Sequence, residues 1–154
     1  MKEGTFLVTH ADDASAVLRD VADGQVHTLA VNPGVETGAV VEATIEPEPP
    51  MEVAWQVTDL VSTRSIPVER SREPPTQQAR DIAAEQSVGE ITRRERAGEG
   101  ELHVVTVSPT DVEDAVTDVL DDEETVARAA RLGAVRVEVR AADSGVVSVR
   151  YLPD

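Results

Sequence analysis

Three histidines, a few neighbouring acids and one arginine cluster hold most of the chemistry that the spacing in this 154-residue sequence could support. His10, Asp12, Asp13 and Ser15 lie close together, and His27 would join them if paired strands carried it across a sheet. A hydrolytic triad needs a base bonded to a nucleophile and oriented by a third group. The Gly-x-Ser-x-Gly elbow that presents such a serine is absent, and Asp12-Asp13-Ala14-Ser15 has the composition of a polar turn. A metal site from His10, His27 and Asp12 would require ring nitrogens about 2 Å from the ion. The structural reading is preferred for both, so no catalytic residue, metal or other cofactor is expected. His103 sits in an apolar run and reads as a hydrogen-bonded structural histidine. Asp121-Asp122-Glu123-Glu124 lacks the alternating ligands, central glycine and terminal glutamate of a calcium loop. Acids there complement a helix N-terminus.

Arg93, Arg94 and Arg96, with Arg80 earlier, form the only basic cluster. It could contact phosphate or the carboxylates of a partner. Glu90, Glu95, Glu99 and Glu101 surround it, and high salt removes most of the counterion-release advantage that favours nucleic acid. An OB-like barrel binds single strands by stacking bases on aromatics. In the first half only Phe6 and Trp55 are available, and both occupy alternating positions that point inward. No Gly-x-Gly-x-x-Gly, Walker loop or His-Glu-x-x-His motif is present. The absence of cysteine excludes disulfides, thiolate zinc, iron–sulfur ligation and thiol nucleophiles. The expected function is therefore a non-enzymatic binding or assembly module. Its contact surface would lie where Arg93, Arg94 and Arg96 follow the linker, and its partner would be a protein. Binding of RNA or single-stranded nucleic acid through the barrel is the alternative. A small enzyme with a site between the halves ranks third.

These residues need elements to hold them. Residues 1–72 alternate on a two-residue period and break at turn signals, as short strands do. Strands are expected at Thr5–His10, Ser15–Val21, Gln25–Val31, Ala39–Glu46, Met51–Val61 and Ser65–Arg70, with Asp23-Gly24 as a hairpin turn. That pattern suggests a small antiparallel β-barrel, OB-like or SH3-like. Ser71–Thr76 reads as a linker. Beyond it, residues 73–154 read as a compact α+β domain in the order helix–strand–helix–helix–strand–strand, with helices on one sheet face. Thr76 caps a helix expected to run to Arg96, with Ile82, Ala84, Val88 and Ile91 as its apolar stripe. Val112, Ala115, Val116 and Val119 mark a second helix after Ser108-Pro109, and Asp121-Asp122 cap a third that stops at Gly133. Leu102–Val107, Val135–Arg140 and Val146–Leu152 are the strands, and Asp143-Ser144-Gly145 turns the chain between the last two.

Charge supplies the setting. The chain carries 14 basic and 30 acidic residues, a net −16 shared equally by residues 1–73 and 74–154. Lys2 is the sole lysine among thirteen arginines, and Val (26) and Ala (19) supply most of the apolar residues. At about 1 M salt the Debye length is roughly 3 Å, so crowded carboxylates are screened, and excluded salts strengthen the burial of small aliphatics. The composition therefore points to a halophilic cytoplasmic protein that needs high salt for stability. Neither an apolar run of membrane-spanning length nor an apolar N-terminal signal is read in it. Five stretches carry a resemblance: Gly4-Thr5-Phe6-Leu7-Val8-Thr9-His10-Ala11-Asp12-Asp13, Gly24-Gln25-Val26-His27-Thr28-Leu29, Pro49-Pro50-Met51-Glu52-Val53, Thr92-Arg93-Arg94-Glu95-Arg96-Ala97-Gly98 and Gly145–Pro153. On these the chain resembles a small haloarchaeal domain-of-unknown-function family along its whole length. That resemblance implies no activity and no functional residues.

Overall fold

The computed structural model describes residues 1–50, 53–95 and 100–153. The chain is a mixed α+β protein whose N-terminal part is mostly strand, as expected. Its contacts separate into two compact units, residues 1–66 with 126–131, and residues 67–125 with 132–154.

In the first unit, β1 (Lys2–Ala11), β2 (Ala16–Asp20), β3 (Val26–Leu29), β4 (Val40–Pro47) and β5 (Trp55–Arg64) lie close to the expected strands. Antiparallel pairings join β1 to both β2 and β4, β2 to β3, and β4 to β5. One parallel pairing, Leu29 with Trp55, links β3 to β5 and closes the order β1–β2–β3–β5–β4 on itself. Alternation turns every second side chain inward. The core is Phe6 and Val8 of β1, Ala16 and Leu18 of β2, Leu29 of β3, and Val41, Ala43 and Ile45 of β4. The same inward rows continue to polar residues at one end: Lys2 on β1, Asp20 on β2 and His27 on β3. The Asp23-Gly24 turn is wider than a two-residue hairpin. The Asp20 carboxylate accepts the Ala22 and Asp23 amides and so holds a longer connection between β2 and β3.

The second unit contains β6 (Val68–Arg70), α1 (Gln77–Ala84), β7 (Ile91–Glu95), β8 (Glu101–Thr106), α2 (Val112–Leu120), β9 (Arg136–Ala142) and β10 (Val146–Leu152). A further helix, α3, spans Glu123–Leu132. The sheet order is β6–β9–β10–β8–β7, with β6 parallel to β9 and the rest antiparallel. The strand expected near Ser65–Arg70 thus forms an edge, but of this sheet and not of the N-terminal one. Neighbouring residues on β8 and β10 face opposite ways, and a helix covers each side. α1 packs Ala79 and Ala83 against Leu102, Val104 and Val146. α2 packs Val112 and Val116 against Val139 and Val147. The expectation of helices on one face is corrected accordingly.

The largest departure is the helix expected over Thr76–Arg96. Thr76 does cap it, its hydroxyl accepting the Ala79 amide at 3.2 Å. It ends at Ala84, however, and residues 91–95 are strand. The Gln86 side-chain amide donates to the Thr106 hydroxyl at 3.0 Å and to the Val104 carbonyl at 3.2 Å, and its oxygen accepts from the Thr92 hydroxyl. The Gly89 amide then bonds the Thr106 carbonyl at 2.7 Å. This polar tie folds the chain back so that β7 pairs along β8. Glu90 and Arg94, which helical spacing would pair, are separated by the change to strand, and the Glu90 carboxylate accepts the Ser87 amide instead. Among the described residues no helix is long and apolar enough to cross a membrane.

Candidate functional site

In the first unit the sole lysine closes the polar end of the ring. Lys2 Nζ lies 3.1 Å from Asp20 Oδ2, 3.0 Å from Asp23 Oδ2 and 3.0 Å from His27 Nε2. His27 is buried, with the Phe6 ring edge-on at 6.1 Å and the Trp55 ring at 4.5 Å. Gly4 gives Asp20 and Phe6 room, since a Cβ there would stand 3.4 Å from each. Burial works to lower the Lys2 pKa, but hydrogen bonds to Asp23 and Asp20 outweigh it and hold the ammonium above its ordinary value. Burial first, and the Lys2 charge second, push His27 below its ordinary value. The neutral imidazole therefore accepts a hydrogen bond from the Lys2 ammonium. An ammonium donating to two carboxylates and an imidazole has no lone pair with which to attack a carbonyl, so this cluster clamps the end of β1 to the β2–β3 connection. Sequence reasoning passed over Lys2, Asp20 and Asp23. The usable signals were a single lysine among thirteen arginines and its even spacing with Phe6 and Val8.

The His10, Asp12 and His27 set does not assemble. His10 is exposed and sits 3.6 Å from Asp12, while His27 belongs to the Lys2 cluster. Asp12 Oδ1 accepts the Ala14 and Ser15 amides at 2.9 and 2.7 Å, which lowers its pKa and makes the expected polar turn. The Ser15 hydroxyl lies 3.4 Å from the same oxygen, where a carboxylate offers no oriented base for it. Among the described residues no group of three His, Cys, Asp or Glu side chains is arranged to hold a metal ion. His103 is buried, with Nε2 at 2.7 Å from Glu101 Oε1 and its ring against Tyr151. Asp122 accepts the Glu124 amide and the Thr125 hydroxyl at the start of α3, the capping role read for the acidic run.

The arginines of the second unit fall into two groups. Arg140 and Arg150 both bond Glu138 Oε1, and Arg140 also reaches Glu73 at 3.0 Å. Burial would raise the Glu138 pKa, but these two guanidinium groups overcome it and leave the carboxyl below its ordinary value. Arg70 pairs with Glu113, and Arg80 donates to the Pro75 carbonyl at 3.2 Å. Arg93 and Arg94 differ. They are exposed on β7, one of the two edge strands of the sheet, and, like exposed Arg72, have no ion-pair or hydrogen-bond partner among the described residues. Register sets Arg93 beside His103 and Arg94 beside Leu102, so the two side chains leave opposite faces of the sheet. Arg96 lies outside the described residues.

A family model matches residues 2–141, which include the Lys2 cluster and the whole of β7. The chain belongs to a family of unknown function, DUF5812. No curated protein and no solved structure matches it. In this DUF5812 protein the matched span ends within β9, and β10 follows it.

The His27 shift makes a signed prediction. A histidine whose folded pKa is depressed contributes stability that is complete above its unfolded value, near 6.5, and is lost as pH falls through the folded pKa. Denaturant midpoints followed by Trp55 emission should therefore fall between about pH 7.5 and about pH 5. His27→Gln should flatten that part of the profile, leaving the lower-pH losses from Asp12 and Asp23. A profile identical to wild type would show that His27 does not titrate against Lys2.

Proposed function

We propose that this chain is a non-enzymatic binding module whose contact surface is the β7 edge carrying Arg93 and Arg94, with undescribed Arg96 directly following. The observation that carries the reading is an arginine pair that has no partner among the described residues and stands on an edge strand. In a chain of net −16, other cations of this unit (Arg70, Arg140 and Arg150) are held by acids. An exposed charge pair on an edge also blunts unwanted strand pairing, so the two uses must be separated experimentally. Tagged wild-type protein and an Arg93→Glu/Arg94→Glu variant would be used to capture partners from high-salt lysate, with and without nuclease. Loss of a nuclease-resistant partner by the variant, with an unchanged near-ultraviolet Tyr151 signal, is the expected result. Equal recovery by both proteins would end the reading.

The strand order β1–β2–β3–β5–β4 with parallel β3 and β5 supports an OB-like over an SH3-like assignment for the first unit. It also favours, as a second reading, single-stranded nucleic-acid binding there. Two observations weigh against it: Phe6 is buried, and Trp55 packs on His27. Quenching of Trp55 by an oligonucleotide would reverse that ranking. A salt-rich cytoplasm remains our proposed setting, supported by the even acidity and the near-absence of lysine.

A further inference from the structure

We infer that the β7 edge takes an extended acidic segment of a partner protein as an added strand, an inference that rests on the binding reading above and gives it a ligand chemistry. Among the described residues β7 is paired on one side only, along residues 91–95 with β8. An open strand edge presents backbone donors and acceptors in alternation, and only another polypeptide strand satisfies both kinds. Nucleic-acid phosphates supply acceptors alone and leave the edge carbonyls to water. The backbone thus selects a peptide, and the side chains select its charge.

The side-chain pattern defines that peptide further. Arg93 and Arg94 leave opposite faces, and successive residues of an extended partner do the same, so two adjacent acids meet both guanidinium groups. Ile91 lies on the Arg93 face and is 45% exposed. A β-branched residue opposite it would cover it. For antiparallel addition the partner therefore reads acid–acid–any–valine or isoleucine, and for parallel addition the reverse. A second copy of the chain fits less well. Two-fold antiparallel pairing centred on Arg93 would set the two Arg93 side chains against each other, with net −16 on each molecule.

The test uses the full chain and three end-blocked synthetic peptides. One has the core Glu-Glu-Thr-Val within a threonine-rich strand sequence, one replaces both glutamates by lysine, and one keeps the acids but is N-methylated at alternate backbone amides. Amide hydrogen exchange reports β7, and titration reports affinity. The acidic peptide should slow exchange in residues 91–95 and lose affinity by at least about tenfold against Arg93→Glu/Arg94→Glu. The lysine and N-methylated peptides should give no protection. Binding of the N-methylated peptide equal to that of its parent would overturn strand addition and leave charge attraction alone. Equal protection by a short RNA, or protection that rises with protein concentration without peptide, would assign the edge to phosphate or to a second copy and overturn the inference. If the variant loses its lysate partner while the acidic peptide gives no protection, strand addition falls and the binding reading stands.

Discussion

Gly145→Ala should destabilise the second unit by about 3 kcal/mol, the upper range for backbone strain when a backbone clash adds to it. Residues 143–145 join β9 to β10, and Gly145 has φ +110°, a conformation that side chains with a Cβ rarely adopt. The Gly145 amide bonds the Ala142 carbonyl at 3.0 Å, and its own carbonyl accepts the Val107 amide at 2.8 Å. The chain leaving β8 is thereby held against this turn, and an added Cβ would collide with the Val107 carbonyl oxygen. The turn and the end of β8 cannot both stay in place. Gly89→Ala is the control. Gly89 also has positive φ (+90°), yet nothing lies within 4 Å of an added Cβ, so only conformational strain applies. The near-ultraviolet signal of Tyr151, buried in the second unit, should melt markedly lower in Gly145→Ala than in Gly89→Ala. Equal melting would show that the contact with Val107 contributes nothing.

What the sequence disclosed follows the range of the forces involved. Alternation is local, and the inward rows Phe6/Val8 and Val41/Ala43/Ile45 were legible from period alone. The cap at Thr76, the capping acids before α3 and the Asp12 turn are also local, because each is a side chain bonding backbone within a few residues. The helix forecast failed between Gln86 and Arg94 because Ile82, Val88 and Ile91 mimic a helical stripe. What overrode that stripe is a hydrogen-bond network from Gln86 to Thr106, twenty residues away, which no local window contains. Gly89 followed by β-branched Ile91 and Thr92 was the available warning. The parallel pairing of Val68 with Val137 is equally non-local. At the candidate sites the residue types were legible and their company was not. His27 was matched with His10, when the inward row it shares with Leu29 leads to Lys2. Arg93 and Arg94 were identified as a basic cluster, but only the sheet order reveals them as the two faces of an open edge.

Phe6→Ala should be the most damaging single truncation in the first unit, with an expected loss of about 3–5 kcal/mol. Phe6 is fully buried among Val8, Ala16, Leu18, Leu29, Val41, Ala43 and Ile45. Several of those neighbours are alanine or valine, short or stiff at χ1, and cannot swing into the space a lost ring would leave. The cavity term therefore adds nearly in full to the lost transfer free energy. A unit of this size has on the order of 4–10 kcal/mol in total, so the variant should sit close to its unfolding midpoint. The effect should reach the polar end of the interior as well. The Phe6 ring meets the His27 imidazole edge-on, and Gly4 is spaced to admit both that ring and the Asp20 carboxylate that Lys2 binds. Trp55 is the only tryptophan and meets the His27 ring in a T-shaped contact, so its emission reports this unit directly. Phe6→Leu keeps most of the volume and should cost less than about 1.5 kcal/mol. If alanine and leucine at position 6 give the same Trp55 unfolding midpoint, the interior is collapsing around the deletion, and rigid packing by small aliphatic side chains is not what fixes the Lys2–His27 geometry.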